Sequence, residues 1–155
     1  MEPFCIVEFQ SFKDANNQFI VKELCLCTYK GYYRTYFFKL PHIIKMNRRK
    51  QRTNAWLTEN YHHLRYEGGY IAYDQLLPIL MKHTMNCTML VTKGSEKATY
   101  LSKILNRQVL NLDEHIHTSL KNLPEPYYEC IHTGECSLKN AKKIFNWLCE
   151  NDIWE

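Results

Sequence analysis

The chain predicts an α/β domain: a mixed sheet that opens with an antiparallel three-strand meander and continues with alternating strands and helices. Three observations carry that expectation. Apolar runs at residues 4–10, 18–28 and 32–40 are separated by short polar turns, the pattern of hairpin-joined strands. After Pro41, stretches with helical spacing alternate with two short apolar runs at 88–91 and 108–112. The length, 155 residues with 45% hydrophobic and 14% aromatic content, suffices for one full core, so a single domain over 1–155 is expected.

Composition narrows the class further. Five Gly and five Pro argue against a long disordered segment. No apolar run approaches the roughly 18 residues that span a bilayer, so no membrane partner is expected. The opening Met1-Glu2-Pro3-Phe4-Cys5 lacks the basic and apolar regions of a signal peptide, which points to a cytoplasmic or nuclear address. There the seven cysteines stay reduced, and an odd count reads as core thiols plus a metal site. A net charge of +4 is compatible with a nucleic-acid partner without demanding one.

In chain order, residues 4–10 form a first strand with one carboxylate, Glu8, near its end. Asp14, Asn16 and Asn17 turn the chain into a second strand, Gln18 to Thr28. Strict alternation puts Phe19, Val21, Glu23, Cys25 and Cys27 on one face, and Cys25 and Cys27 read as core. Lys30-Gly31 leads into the aromatic third strand, Tyr32 to Leu40, which Pro41 ends. A helical segment, Met46 to Glu59, starts with a basic run, and Gly68-Gly69 breaks the chain. Asp74 is expected to cap a short helix to His83, with Leu76, Leu77, Ile79 and Leu80 on its apolar side. Thr88 to Val91 is a buried strand. Ser95 is the expected N-cap of the helix Glu96 to Leu105, and Gln108 to Leu112 is a last strand. The final helix, Ser137 to Cys149, carries Leu138, Ala141, Ile144, Phe145 and Leu148 on one face.

Just before that helix comes Cys130-Ile131-His132-Thr133-Gly134-Glu135-Cys136. Two thiols and an imidazole at close spacing, with Gly134 to let the chain fold back, are zinc-type donors. A tetrahedral structural site needs a fourth ligand, and Cys87 and Glu129 are both available.

Two groups of cations are candidate phosphate contacts: Arg48, Arg49, Lys50 and Arg52 at the start of the first helix, and Lys139, Lys142 and Lys143 on the last. Trp56, Tyr61 and Tyr66 offer faces for base stacking. The plainer account of so short a run is a solvated helix face. Tyr32, Tyr33, Tyr36, Phe37 and Phe38 place an aromatic strand at the expected sheet edge, a candidate surface for a protein partner or self-association.

The element order is the layout of the ribonuclease H-like fold, and within it the chain resembles the DEDD exonucleases that keep a histidine before the last acid. Glu8-Phe9-Gln10 stands where that family has acid-x-acid. In Leu90-Val91-Thr92-Lys93-Gly94-Ser95-Glu96-Lys97, Glu96 matches the acid that opens a helix. Asn60-Tyr61-His62-His63-Leu64 resembles the family's histidine segment. In the last helix Glu135 or Cys136 falls at the histidine and Asn140 at the final acid. The resemblance brings the 60–64 segment near the last helix, which makes His62, or else His63, the leading fourth metal ligand.

Taken at full strength, the resemblance implies a 3′–5′ exonuclease using magnesium or manganese on Glu8, Glu96 and a third acid such as Asp113. Gln10 and Asn140, however, are neutral where acids are wanted. Two-metal cleavage needs several anionic oxygens converging on ions about 4 Å apart. The pattern is therefore that of a pseudo-nuclease, similar in kind to the Maelstrom domain of the piRNA pathway, which lost its acids and carries a Glu/Cys/His/Cys zinc site. The function this implies is binding of single-stranded or structured nucleic acid, RNA in the first place, by a zinc-stabilised domain.

Overall fold

In the computed structural model, which describes residues 3–41, 47–116 and 118–151, the chain folds as expected into an α/β architecture. Strands β1 (Phe4–Lys13), β2 (Phe19–Thr28) and β3 (Tyr33–Lys39) form the antiparallel meander. Helix α1 (Arg48–Asn60) follows, then the two-residue strand β4 (Ile71–Ala72), helix α2 (Leu76–Thr84), β5 (Met89–Thr92), α3 (Ser95–Leu105), β6 (Leu110–Asn111) and α4 (Ser137–Glu150). The sheet order is β4-β3-β2-β1-β5-β6. Three of its pairings, β1 with β5, β5 with β6 and β3 with β4, are parallel. A mixed sheet with helices on both faces is compatible with the ribonuclease H-like layout.

Each face of the sheet has its own core. On one, Cys5, Val7 and Phe9 of β1 and Leu24 and Leu26 of β2 pack with Leu76 and Leu80 of α2 and Leu101 of α3. On the other, Phe4, Ile6, Cys25 and Cys27 pack with Leu138, Ala141, Ile144 and Leu148 of α4, the apolar face that the helical periodicity predicts. Cys25 and Cys27 are core thiols there, their pKa values pushed up to about 12 chiefly by burial.

Strict alternation in β2 does not survive. Gln10 pairs with Glu23 but Ser11 with Val21, so Lys22 is the extra residue of a β-bulge. The bulge reverses the parity, so that Val21 joins Leu24 and Leu26 while Glu23 stays with Cys25 and Cys27 on the α4 face. Lys22 is buried, and its ammonium donates to the carbonyls of Phe38 (2.9 Å), Tyr66 (3.2 Å) and Gly68 (2.6 Å). Burial lowers its pKa.

Several boundaries also move. β1 runs to Lys13, which puts Glu8 in mid-strand. Asn47 is the N-cap of α1, accepting from the Lys50 N–H, and the expected start at Met46 lies outside the described residues. Asp74 sits inside a 3-10 turn, Tyr73–Gln75, and caps nothing. Ser95 is the first residue of α3, while the N-cap position is Gly94, whose N–H is held by the Asn111 side chain at 3.0 Å. No helix among the described residues is long and apolar enough to cross a membrane.

Candidate metal centre

The cysteine turn lies over the α4 face of the sheet, and one side chain of β2 reaches into it. Sulfur, nitrogen or carboxylate atoms of Glu23, Cys130, His132 and Cys136 all lie within 4.8 Å of one another. Tetrahedral zinc with bonds of about 2.0–2.3 Å spaces its donors roughly 3.3–3.8 Å apart, so a small contraction brings the four onto one ion. Glu23 is fully buried, Cys136 is buried, and the His132 side chain is 6% exposed. Four protein donors and little exposure leave no open position, which is the arrangement of a structural site.

The backbone holds each donor in place. The bulge at Lys22 sits immediately before Glu23, whose Oε1 accepts the N–H of Ser137 at 2.7 Å. That N–H belongs to the first turn of α4, so the carboxylate also faces the positive end of the helix. Glu23 Oε2 lies 2.5 Å from His132 Nε2 and 3.6 Å from Cys130 Sγ. Cys136 occupies the N-cap position of α4. His132 Nδ1 donates to the His62 carbonyl at 2.7 Å, which fixes the tautomer and leaves Nε2 for a metal.

Without a metal the cluster holds two removable protons. Burial works against a charged His132, but its hydrogen bonds to Cys130 and Glu23 outweigh burial and carry the pKa up to about 10. Cys136 donates to Cys130, holding Cys130 well below the ordinary thiol range and pushing Cys136 above it. The two thiols therefore share one proton, which belongs to the pair. A bound ion displaces that proton and the one on the imidazolium.

His62, the expected fourth ligand, is not one of the four. Its Nδ1 accepts the Leu64 N–H at 3.0 Å and its Nε2 contacts the Ser11 carbonyl at 3.1 Å, so both ring nitrogens are engaged with the backbone. Burial lowers its pKa to about 4, and it sits neutral against Phe12. The 60–64 segment does come to the site, as expected, but it contributes main-chain oxygens. His63 bonds Thr133 at 2.8 Å, Glu129 accepts from Tyr127, and Cys87 lies in the opposite core.

Gly134 is the residue that permits this approach. Its φ is +81°, and a Cβ there would stand 2.4 Å from the Tyr61 carbonyl, which also receives the Glu135 N–H at 2.8 Å. Gly134→Ala is expected to cost roughly 2–4 kcal/mol from left-handed strain and the backbone clash. It should also loosen metal retention, because pushing the turn off the Tyr61–His63 segment pulls His132 from the His62 carbonyl that orients it. Thermal melts with and without chelator measure both effects, and a melt equal to the parent's would refute the expectation.

The acids expected to form a nuclease site do not converge. Glu8 is fully buried, its Oε1 accepting from Thr92 Oγ1 (3.2 Å) and the Lys93 N–H (3.1 Å), its Oε2 from Lys97 Nζ (2.8 Å). Burial works to lower the Lys97 pKa, but the charge and hydrogen bond of Glu8 leave it raised. Glu96 is exposed and pairs with Lys13 at 3.2 Å, and Asp113 pairs with Lys93. Each acid has its own lysine. Among the described residues, the Glu23 quartet is the one group of three or more such side chains placed to hold a metal. Asn140 is buried beside Glu135, its Nδ2 3.4 Å from Oε2.

The two basic groups are apart. Arg48, Arg49 and Arg52 are exposed at the start of α1, and Lys50 donates to Asn17 at 2.5 Å. Tyr61, at the other end of that helix, borders an open groove of about 660 Å³ beside the quartet. At 1.5 Å per residue the separation from Arg49 to Tyr61 is about 18 Å. Lys139 lines the groove, and Lys142 lies next to it on α4. Lys143, the third candidate phosphate contact on α4, is instead buried and bonds the Leu120 carbonyl and Glu125.

No known protein-family model matches the chain, and no curated protein matches it.

Proposed function

We propose that the chain is a degenerate exonuclease-like domain that binds single-stranded or structured nucleic acid, RNA in the first place, and is held together by a structural zinc. The observation that carries this reading is the closed Glu23–Cys130–His132–Cys136 quartet at the head of the helix where a nuclease of this layout keeps its last catalytic residues. Its residue types are those of the zinc set that the resemblance to the Maelstrom domain implies. The donor set suits zinc, because thiolate and imidazole select it over magnesium or calcium. The lysine pairing of Glu8, Glu96 and Asp113 argues against phosphodiester cleavage, since three neutralised and separated carboxylates hold no pair of ions.

Anisotropy of a labelled single-stranded RNA tests the binding. Affinity should fall with salt, by roughly 50-fold between 50 and 200 mM if four phosphates are contacted, and Arg48→Glu with Arg49→Glu should weaken it further. Absent or salt-insensitive binding would sink the reading. The same preparation with magnesium or manganese should leave the RNA intact. Degradation that Glu8→Gln abolishes would restore the exonuclease alternative.

One observation favours a second reading, a protein-interaction domain. Strand β4 pairs only with Phe38 and Lys39, so among the described residues no strand covers the outer edge of β3 at Tyr33–Tyr36. Concentration-dependent self-association, or a partner lost on Thr35→Pro, would support it.

A further inference from the structure

Tyrosines and lysines alternate along the α4 side of the molecule between the edge strand and the groove. Lys142 Nζ sits 4.3 Å from the centroid of the Tyr33 ring and donates to the Tyr127 carbonyl at 2.9 Å, so it bridges two exposed tyrosines. Tyr33 is 47% exposed and Tyr127 81%. Three residues earlier on the same face of α4, Lys139 Nζ lies 5.9 Å from the Tyr128 centroid and forms part of the groove wall. At the far side of the groove Tyr61 stacks on Trp56, their rings 21° from parallel. The series runs ring, cation, ring, ring, cation, groove, ring.

We infer that this strip, from Tyr33 through Lys142, Tyr127, Tyr128 and Lys139 to Tyr61, is the track for a single-stranded nucleic acid. Single strands without sequence preference are held by aromatic faces on which bases stack, with cations between them for the phosphates. An exposed tyrosine presents such a face at little entropic cost. A lysine already parked on a ring is positioned for the phosphate of the stacked nucleotide, and each ring gains from its cation. Lys139 and Lys142 are the strip's phosphate contacts. Two carboxylates stand against them: Glu135 lines the groove, and Glu129 accepts the Tyr127 hydroxyl at 2.8 Å beside the track. That bond orients the ring, and both charges oppose the ligand. The inference rests on the nucleic-acid reading above but assigns the binding to this strip, with the arginines of α1 as a distant auxiliary.

The test is anisotropy of a labelled oligouridine on the zinc-loaded full chain. Tyr127→Ala and Tyr33→Ala should each weaken binding roughly 5- to 160-fold, the range for loss of one stacking face. Tyr127→Phe should bind nearly as the parent does. Lys142→Ala should reduce the slope of log affinity against log salt by about 0.7, the single-strand value for one phosphate contact. Glu129→Gln should strengthen binding. All four positions are surface positions, and an unchanged melting temperature verifies the fold. If the parent binds no oligonucleotide, the nucleic-acid reading itself has failed. If the parent binds, the tyrosine variants bind equally well and the Arg48/Arg49 charge reversals abolish binding, only the strip is overturned. Tyrosine variants that lose self-association while keeping RNA affinity overturn it too, and assign the surface to protein contact.

Discussion

Replacement of Cys136 by serine is expected to strip the metal from the protein and lower its melting temperature by on the order of 10–20 °C. The cluster ties together β2, the 130–136 turn and the head of α4, and it fixes the Tyr61–His63 segment through the Glu135 N–H and His132. Structural zinc in small folds is worth about 10–16 kcal/mol, but there it substitutes for a core. Here the core against α2 and α3 stands without it. A share of about 5 kcal/mol is therefore reasonable, and in a chain this size each kcal/mol moves the midpoint by about 2–4 °C. Loss should be local first: hydrogen exchange should rise over residues 128–150 before it rises in α2 and α3. Elemental analysis of the parent should find about one zinc per chain. Acidification should release it, because protons compete for the thiolates and the imidazole, so retention holds at pH 7–8 and fails as the pH falls. Cys149→Ser, at an exposed thiol outside the cluster, is the control and should change nothing. A metal-free parent with an undiminished melting temperature would dispose of the site.

Three of the four donors were legible in the sequence because they lie within seven residues of one another. The fourth was not. Glu23 is 107 positions from Cys130, and nothing in local spacing says which loop will cover its strand face. What the sequence did carry was an anomaly: a carboxylate inside the apolar run Val21 to Cys27, on the same side as two core thiols. A charge in a buried strand needs a partner, and Glu23 has His132 and the Ser137 N–H. The expectation that His62 completes the set brought the right segment to the site and the wrong atoms. Positive φ at His63 (57°) reverses the chain there, and the His62 ring turns toward β1.

The strands and helices with strong periodicity were legible, and what departed from expectation was tertiary in origin. The bulge at Lys22 cannot be read from alternation, since Phe19 to Cys27 fits a regular strand equally well. It exists because the Lys22 ammonium finds four carbonyls, three of them on the 66–68 loop. β4, two residues long, has no period to detect. The acids expected of a nuclease illustrate the same limit. Glu96 opens α3 as expected and Glu8 lies on β1, though in mid-strand, but whether they share an ion depends on side-chain partners that only the fold assigns.

The Glu8–Lys97 pair shows what that assignment costs to undo. Lys97→Met removes the ammonium from a carboxylate that has no exposure, leaving only the Thr92 hydroxyl and the Lys93 N–H to compensate the charge. Breaking a buried pair from one side typically costs 3–5 kcal/mol. Because the lysine side chain here keeps 22% exposure, the lower end of that range, about 3 kcal/mol, is expected. Glu8→Gln alone should cost less, since the amide oxygen can still accept from Thr92 and Lys93 while the lysine reaches water. The double variant Glu8→Gln/Lys97→Met should then be more stable than Lys97→Met alone, because it leaves no orphaned charge, and urea denaturation of the four proteins gives the coupling. A metal-binding acid behaves in the opposite way. If Glu8 belonged to a divalent site, removing the competing ammonium would let manganese restore the lost stability, whereas a carboxylate that only ties β1 to the turn before α3 gains nothing from the ion. Restoration by manganese in Lys97→Met, absent in the double variant, would therefore reopen the catalytic reading, and its absence would leave Glu8 as a structural tie.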